Sequence, residues 1–463
     1  MLARALRRIS EEDIEVSVGT ICSGCDLMVK LIHELVCYWQ AEFNVPIRVR
    51  HSFSCESNPK KQAFLRAEFK STPLFANASE LGSTMAVDIS GSAPKRVPVE
   101  TPALLVAGFS CKSRSPANPN SSAYKRAVQD GVGETGETFW MIAEYISVHK
   151  PLRVVLENVV ELGAKPDGSE SSDADFIVQW FAKKGYSAQW LVIDASDFGS
   201  AVRRNRRFLL AFYKAHQSTL RQATDIINSM MIGALPFKLF LIDDDEQTQA
   251  TQAAAAAKGT ASSVDVARTN QGKRAKTDPN FKTEHLEYFR AANIPWPVKE
   301  LPSKIEDLHL TQRQSEVLLY CDTVAKPVEP GIEFVDVGCS LGRLCGENRQ
   351  RRIWQRCCPT LTTHTKLVLR MTAGDMAHQF RVLHGLECMQ LIGWDRSMYK
   401  SSPPLGELAL DLAGNAFSGF SLGPVLLAVF AQFFAVGACG CEEHERAFEA
   451  SDFDASDSGA SSI

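Results

Sequence analysis

The sequence predicts an α/β fold in which helices cover both faces of an open sheet. Through the first half of the 463 residues, short apolar runs alternate with segments of helical periodicity. A glycine-containing turn joins the first predicted strand to the first predicted helix. Two later apolar runs each end in a reactive side chain, and ligands bind at the carboxyl ends of strands in such sheets.

The predicted elements follow one another in a regular order. Strands are predicted at residues 16–21, 47–55, 103–108, 152–156, 189–193 and 207–213. Helices are predicted at residues 26–41, 59–68 and around 138–148, and helical spacing returns at 376–392 and 422–434. Two ordered stretches, one long and one short, are therefore separated by a region with a different pattern.

The chain divides into five parts on this basis. These are an N-terminal extension (1–14), the first part of the main domain (15–225), a smaller irregular domain (226–375), a C-terminal return to the main domain (376–440) and an acidic tail (441–463). Residues 243–279 have almost no apolar anchor, which predicts a disordered insert, and the Ser-rich tail is predicted to be disordered as well. Residues 336–342 are interpreted as a turn in the smaller domain.

Composition bounds the possible partners. The chain is 45% hydrophobic and 22% charged, as soluble globular proteins are. A net charge of −4 argues against a uniformly basic surface, so nucleic-acid binding requires local patches. Two arginine clusters could supply them or could simply be solvated surface. They are Arg203, Arg204, Arg206 and Arg207, and Arg349, Arg351, Arg352 and Arg356.

Thirteen cysteines without a secretory signal indicate a reducing compartment. Cys22 and Cys25, with His33 and Cys37, have a zinc-like spacing, but a strand, a turn and a helix would not bring them to one point. We therefore predict no metal. The apolar run at 422–439 is predicted to be a buried core helix rather than a membrane span, and the basic start at 1–8 leaves organelle targeting open.

The two reactive strand ends carry the chemical hypothesis. The run Leu104–Ala107 leads to Cys111, and the run Val154–Leu156 ends at Glu157. A thiol and an acid at one sheet edge would suit attack on an electron-poor ring with proton supply from the acid. The alternatives are an inert buried cysteine and a glutamate that only caps a helix.

A second candidate site lies at the first strand–helix turn. Residues 19–26 contain Gly19 and Gly24, and small residues there let backbone N–H groups approach a nucleotide-like ligand. Glu56 ends the second predicted strand, where a carboxylate can bind ribose hydroxyls.

Taken in order, these segments resemble the DNA (cytosine-5) methyltransferase family. The loop 19–26 is similar to the family's cofactor loop, Gly108-Phe109-Ser110-Cys111 to its Pro-Cys loop, and Glu157-Asn158-Val159 to its ENV motif. Residues 198–206 resemble the segment that ends in Gln-x-Arg-x-Arg, residues 380–394 a further family motif, and Gly414-Asn415-Ala416 the last one.

The resemblance implies a Rossmann-like S-adenosylmethionine-dependent methyltransferase domain with a smaller target-recognition domain at 226–375. It implies duplex DNA with a flipped cytosine as the partner, and nuclear localisation, or cytoplasmic in a prokaryote. Catalytic roles fall on Cys111 as nucleophile, Glu157 as acid at ring nitrogen 3, and Arg204 and Arg206, which would hold the base or a phosphate and lower the pKa of Cys111. The implied cofactor-binding residues are Ile21, Cys22, Ser23, Gly24, Cys25, Glu56, Asn415 and Ala416.

Four positions depart from the family pattern. Ser110 replaces the usual proline, Lys112 replaces glutamine, Val202 replaces glutamine, and Asp26 stands where glycine is preferred. These departures keep open the alternative of a catalytically silent DNA-binding or regulatory relative. A cytosine-5 methyltransferase that acts on tRNA is a second alternative, because tRNA-directed relatives resemble this family closely, although the long insert and the extra arginine cluster weigh mildly against it.

Overall fold

The computed structural model describes most of the chain. The described residues are 14–44, 47–115, 118, 120–242, 281–308, 310–324, 332–341, 353–355, 358–362, 365–371, 379–399, 404 and 407–436. Residues 1–13 of the predicted N-terminal extension, the insert at 243–279, the four arginines of the second cluster and the tail at 441–463 fall outside these residues, whereas Ile14 is the first residue of the main sheet.

A nine-stranded sheet forms the centre of the main domain. Its strands are β1 (Ile14–Ile21), β2 (Ile47–Cys55), β3 (Leu74–Phe75), β4 (Met85–Asp88), β5 (Lys95–Pro98), β6 (Leu104–Ala107), β7 (Arg153–Asn158), β8 (Tyr186–Asp194) and β10 (Asn205–Tyr213). They lie in the order β5-β4-β3-β2-β1-β6-β7-β10-β8. Strands β2, β1, β6 and β7 are parallel, whereas β10 is antiparallel to both β7 and β8. The short strands β9 (Phe198–Gly199) and β11 (Gly233–Ala234) pair separately.

Helices cover both faces of this sheet, as the sequence predicts. They are α1 (Leu27–Phe43), α2 (Pro59–Glu68), α3 (Gly133–His149), α4 (Asp173–Lys183) and α5 (Gln217–Asn228). Alternate residues of β6 face opposite sides: Leu104 and Val106 join a core with α1 and α5, whereas Leu105 and Ala107 join a core with α3 and α4. The central strands are therefore buried on both faces, which explains their continuous apolar sequences.

The smaller domain contains a regular sheet that the sequence did not predict. Its four antiparallel strands, in the order β13-β12-β14-β15, are β12 (Ile332–Asp336), β13 (Ile353–Gln355), β14 (Leu367–Met371) and β15 (Phe380–Val382). Helices α6 (Phe281–Ala291), α7 (Ser303–Glu306) and α8 (Gln312–Val324) precede it. Val335 and Val368 pack on these helices, whereas Phe334 and Leu369 face the main domain. A turn follows β12 at Val337, as predicted.

The C-terminal segments return to the main domain. They form α9 (Gly385–Leu391), α10 (Glu407–Asn415) and α11 (Gly419–Val436). Residues 380–382 of the predicted helical stretch 376–392 are instead the strand β15, because they complete the small sheet beside β14. Helix α11 packs in the core with α1 and α5 through Leu422, Val425 and Val429, each fully buried.

Within the described residues, no single helix has the length and apolar character to cross a membrane. The helix pair Leu408–Asn415 and Gly419–Phe433 passes that test only when both are taken together, and it is bent by 48°.

Candidate active site

The register of the sheet brings the predicted site residues to one edge. Ile21, at the end of β1, is paired with Cys55 on one side and Ala107 on the other, and Ala107 is paired with Leu156. The cofactor-like loop, Glu56, the Cys111 loop and Glu157 all follow this row of residues. Strand β10 is antiparallel and begins at the same edge, which places Arg204 and Arg206 there as well. Strands β2 to β5 lie on one side of β1, and β6 and the later strands lie on its other side. The strand order therefore reverses next to β1, and open sheets bind ligands at such a topological switch point, outside the carboxyl ends of the strands.

The loop after β1 makes its turn through left-handed backbone conformations. Cys22, Gly24 and Asp26 have φ values of 57°, 61° and 55°. Only glycine adopts such a φ without strain, and no atom lies within 4 Å of the position a Cβ would take on Gly24. A ligand can therefore approach the backbone at Gly24. Gly19 serves packing instead, because a Cβ there would lie 2.5 Å from the ring of Phe53.

Hydrogen bonds tie this loop to the end of β2. The N–H of Ser23 donates to the carbonyl of Cys55 (3.0 Å), and the N–H of Cys55 donates to Ser23 Oγ (3.0 Å). The side chains of Ile21 and Cys25 are buried in the core, with exposures of 0% and 1%. These two residues therefore offer a ligand only their backbone.

Glu56 holds the loop by hydrogen bonds and can still accept hydrogen bonds from a ligand. Its Oε2 accepts from the N–H of Gly24 (2.9 Å) and its Oε1 from the N–H of Asn58 (2.8 Å). Each carboxylate oxygen has a further lone pair, so ribose hydroxyls could still donate to it. The open approach at Gly24 and this fixed carboxylate fit a nucleoside-bearing cofactor such as S-adenosylmethionine.

The Cys111 loop is held from two sides. Asn158 Nδ2 donates to the carbonyl of Phe109 (2.9 Å), which connects the loop to the end of β7. The Arg114 guanidinium, 4% exposed, donates to the carbonyls of Tyr124 and Glu161. The backbone is therefore restrained before Cys111 through Phe109 and after it through Arg114.

The side chains of Glu157 and Arg206 lie next to each other beside the Cys111 loop. Arg206 Nε is 2.9 Å from Glu157 Oε1, and the two side chains are 15% and 14% exposed. The N–H is not aligned for a hydrogen bond, and Glu157 Oε1 has no hydrogen-bond partner among the described residues. The contact is thus an ion pair, and the buried Oε1 keeps unused capacity to accept a hydrogen bond.

Arg204 is buried and connects distant parts of the chain. Its Nη1 donates to the carbonyl of Leu361 (3.3 Å) and its Nη2 to that of Ala416 (2.8 Å). Burial, with the nearby charge of Arg206, lowers the pKa of Arg204 to about 9, so the side chain stays charged at neutral pH. Arg204 Nε has no hydrogen-bond partner among the described residues, and the contact of Arg204 with base or phosphate stays a prediction. Asn415 is exposed and binds Asp411 of its own helix.

The first arginine cluster does not form one basic surface. Arg207 donates to the carbonyl of Val160 (2.9 Å), and Arg204 and Arg206 are engaged as described. Of the four, only the side chain of Arg203 is largely exposed, at 61%.

The pKa of Cys111 is raised rather than lowered. Burial is the main cause, and the negative charge of Glu157 adds to it. Arg206 and Arg204 lower the pKa, as predicted, but burial outweighs their effect. In this structure Cys111 is therefore a protonated thiol at neutral pH and must lose its proton before it can act as a nucleophile.

Asp26 lies in a buried polar cluster under the loop. Its side chain is 0% exposed and accepts a hydrogen bond from Ser54, and its Oδ2 is 3.7 Å from His51 Nε2. Burial raises the pKa of Asp26 to about 7, although hydrogen bonds from Ser54, Thr20 and Ser23 oppose the rise. Burial also lowers the pKa of His51 to about 3, so the imidazole is neutral at neutral pH.

The Asp26→Asn variant should become more stable than the wild type as pH rises. Because the folded-state pKa of Asp26 lies above its unfolded value, the wild type loses stability between about pH 4 and pH 7, and asparagine cannot ionise. The gain at pH 8 should be a few kcal/mol, since a tenfold change in a protonation equilibrium corresponds to about 1.4 kcal/mol. Urea unfolding of both proteins from pH 4 to 8 measures the gain.

Asp88→Asn is the matched control for this comparison. Burial raises the pKa of Asp88, but hydrogen bonds from the N–H groups of Leu74 and Ser90 outweigh burial and lower it. That variant should therefore lose stability relative to the wild type above pH 4. A difference between Asp26→Asn and the wild type that stays constant across the pH range would contradict the assignment to Asp26.

Several residues that build the site were not predicted from sequence. Arg114, Thr135 and Thr138 all hold the Cys111 loop. Asp88 ends β4 opposite Phe75, at the same edge as Glu56. A signal existed for Asp88, since it ends an apolar run as Glu157 does. Among the described residues, no three His, Cys, Asp or Glu side chains are grouped to hold a metal ion.

Comparison with known proteins gives a family match over most of the chain and several partial relatives. The sequence model of the family described as C-5 cytosine-specific DNA methylase matches residues 47–419. DNA (cytosine-5-)-methyltransferase DMT5 of Cryptococcus neoformans var. grubii is 27% identical over 238 residues, which cover 50% of this chain and 9% of the relative. Type II methyltransferase M.Sau3AI of Staphylococcus aureus is 32% identical over 109 residues, 24% of this chain and 25% of the relative.

The chain thus spans at most about a quarter of the length of these two relatives. Among solved structures, the Entamoeba histolytica methyltransferase EhMeth is similar at 10% identity with a TM-score of 0.48. That match covers 90% of this chain and 99% of the other.

Proposed function

Since the chain belongs to the family of C-5 cytosine-specific DNA methylases, we propose that it transfers a methyl group from S-adenosylmethionine to carbon 5 of cytosine in DNA. The observation that carries the proposal is the convergence of Cys111, Glu157 and Arg206 at the switch-point edge, next to the open backbone at Gly24. When bound, S-adenosylmethionine would supply the electrophilic methyl group.

Cys111 and Glu157 divide the chemistry between them. The Cys111 thiol gives its proton to the Glu157 carboxylate and adds as thiolate to carbon 6 of the cytosine ring, and Glu157 passes that proton to ring nitrogen 3. Carbon 5 then becomes electron-rich and takes the methyl group, with S-adenosylhomocysteine as the leaving group. Loss of the carbon 5 proton to water expels the thiolate, and ring nitrogen 3 returns its proton to Glu157. Arg206, paired with Glu157, keeps that acid in place and offsets negative charge that develops on the base.

The cytosine must leave the duplex to reach this edge, at a cost of a few kcal/mol. We assign target recognition to residues 226–375, whose sheet packs against the main domain through Phe334 and Leu369. The matched relatives come from fungi and bacteria, which supports action on DNA in a nucleus or in a prokaryotic cytoplasm. Cell fractionation of the tagged chain checks the compartment.

Methyl transfer to duplex DNA, tested in parallel with tRNA, examines the proposal directly. We expect incorporation of methyl groups at cytosine in DNA, and a covalent complex on DNA that contains 5-fluorocytosine, because fluorine cannot leave as a proton does. Transfer to tRNA alone would replace DNA by tRNA as the substrate. Tight cofactor binding with no transfer to either nucleic acid would contradict an enzymatic role and favour a silent relative.

A further inference from the structure

The residues on either side of Cys111 are bound to the first turns of helix α3. The N–H of Ser110 donates to Thr138 Oγ1 (2.9 Å), and Ser110 Oγ donates to Glu134 Oε2 (3.3 Å). Lys112 Nζ lies 2.8 Å from the same Glu134 oxygen. Both departures from the family pattern in this loop therefore converge on one carboxylate.

These contacts form a closed set. Thr138 Oγ1 donates to the carbonyl of Glu134 (2.6 Å), which fixes the hydroxyl that receives the Ser110 N–H. The N–H of Lys112 donates back to Ser110 Oγ (3.3 Å), so this hydroxyl both donates and accepts. Cys111 is thus flanked by two residues whose backbone N–H groups are both engaged.

A proline at position 110 could make none of the bonds that Ser110 makes here. Proline has no N–H and no hydroxyl, but its ring holds φ near −65°. Serine leaves φ free, and the hydrogen bonds to Thr138 and Glu134 restrain the loop by another route. With serine at position 110, contacts with helix α3 therefore restrain the loop where a proline ring would otherwise do so.

We propose that Glu134 and Thr138 are positioning residues that orient the Cys111 thiol, in the role that the fixed φ of proline has in the family pattern. The inference rests on the proposed function, because it concerns the nucleophile of that reaction. Thr138 is the stronger partner. The Lys112–Glu134 pair is exposed, with side-chain exposures of 72% and 54%, and exposed ion pairs contribute little.

The Thr138→Val variant tests this role. At saturating DNA, we expect the rate of covalent adduct formation on 5-fluorocytosine DNA to fall about 10- to 100-fold, since misplaced reacting groups cost rates of this size. The affinity for DNA should not change, and the amide of Ser110 should exchange hydrogen faster. Glu134→Gln should lower the adduct rate by a smaller factor.

Two further variants make the test specific. Thr224→Val removes the same type of helix hydrogen bond, from Thr224 Oγ1 to the carbonyl of Leu220 (2.9 Å), far from the loop, and should leave the adduct rate unchanged. In a Ser110→Pro background, Thr138→Val should have no further effect on the adduct rate. Proline at position 110 has no N–H that could donate to Thr138 Oγ1.

Unchanged adduct formation in Thr138→Val, together with faster exchange at Ser110, would overturn the positioning role. A wild-type chain that forms no adduct would instead contradict the proposed function. In that case the rate of Cys111 alkylation by iodoacetamide, measured by peptide mass spectrometry, decides the matter. A rate changed by Thr138→Val but not by Thr224→Val supports the role, and equal rates overturn it.

Discussion

Replacement of Cys111 by serine should reduce methyl transfer below detection while the fold and cofactor binding persist. A serine hydroxyl has nearly the same volume as the thiol but ionises far less readily, so no nucleophile is available for carbon 6. The loop that would bind the cofactor follows β1 and is tied to β2 through Ser23 and Glu56. Its bond with the Cys111 loop, from the N–H of Gly108 to the carbonyl of Ile21 (3.4 Å), is a main-chain bond that the substitution at residue 111 leaves in place. Cofactor affinity should therefore stay at the wild-type value.

A titration of S-adenosylmethionine by calorimetry and a methyl-transfer assay on the same preparation check both halves of this expectation. The matched control is Cys321→Ser, since Cys321 is buried in the small domain and lies outside the candidate site. Measurable turnover in Cys111→Ser would exclude the covalent route. Loss of cofactor binding in this variant would show that the two loops are coupled.

The sequence predicted six of the nine strands of the main sheet, because the residues of its central strands are constrained on both faces, whereas the short strands β3, β4 and β5 were not predicted. Strand β6 is a continuous apolar run and β7 contains the apolar run Val154–Leu156, and such short runs, interleaved with helical periods, have few other solutions. Once the strand order is parallel, residues after each strand must share an edge. The meeting of Glu56, Cys111 and Glu157 at that edge therefore follows from the pattern.

The small sheet escaped prediction because charged residues lie inside it. Glu333 of β12 faces Arg370 of β14 across the strands, and the two side chains are 1% and 3% exposed. Read as sequence, these residues break the apolar alternation that marks a strand. Their burial is possible because each neutralises the other, with Asp322 also 3.6 Å from Arg370. The pairing joins positions 37 apart, a relation that local periodicity does not contain.

The electrostatics of the site escaped prediction for a related reason. The sequence does not reveal that the Arg204 guanidinium donates to the carbonyls of Leu361 and Ala416, residues more than 150 positions away. Burial decides that the pKa of Cys111 is raised and not lowered, and the neighbouring charges alone do not reveal that burial. Residue types in a motif identify which groups meet, whereas their protonation states depend on how much water the fold removes.

Replacement of Glu157 by glutamine should change the two reactions of Cys111 in opposite directions. Methyl transfer should fall by about 10²- to 10⁴-fold, because glutamine cannot protonate ring nitrogen 3. The negative charge of Glu157 also raises the pKa of Cys111, so its removal should lower that pKa and leave Arg206 unopposed. More thiolate is then present at neutral pH, and alkylation of Cys111 should become faster.

Arg206→Gln provides the opposite charge change at the same ion pair. Since Arg206 lowers the pKa of Cys111, this variant should alkylate more slowly than the wild type. The pH profile of Cys111 alkylation in all three proteins gives the two shifts, and a methyl-transfer assay gives the rates. If alkylation and methyl transfer fell together in Glu157→Gln, the carboxylate would act by holding the loop rather than as an acid. Faster alkylation with slower methyl transfer in Glu157→Gln would show that Glu157 supplies a proton to the base and separately raises the pKa of Cys111.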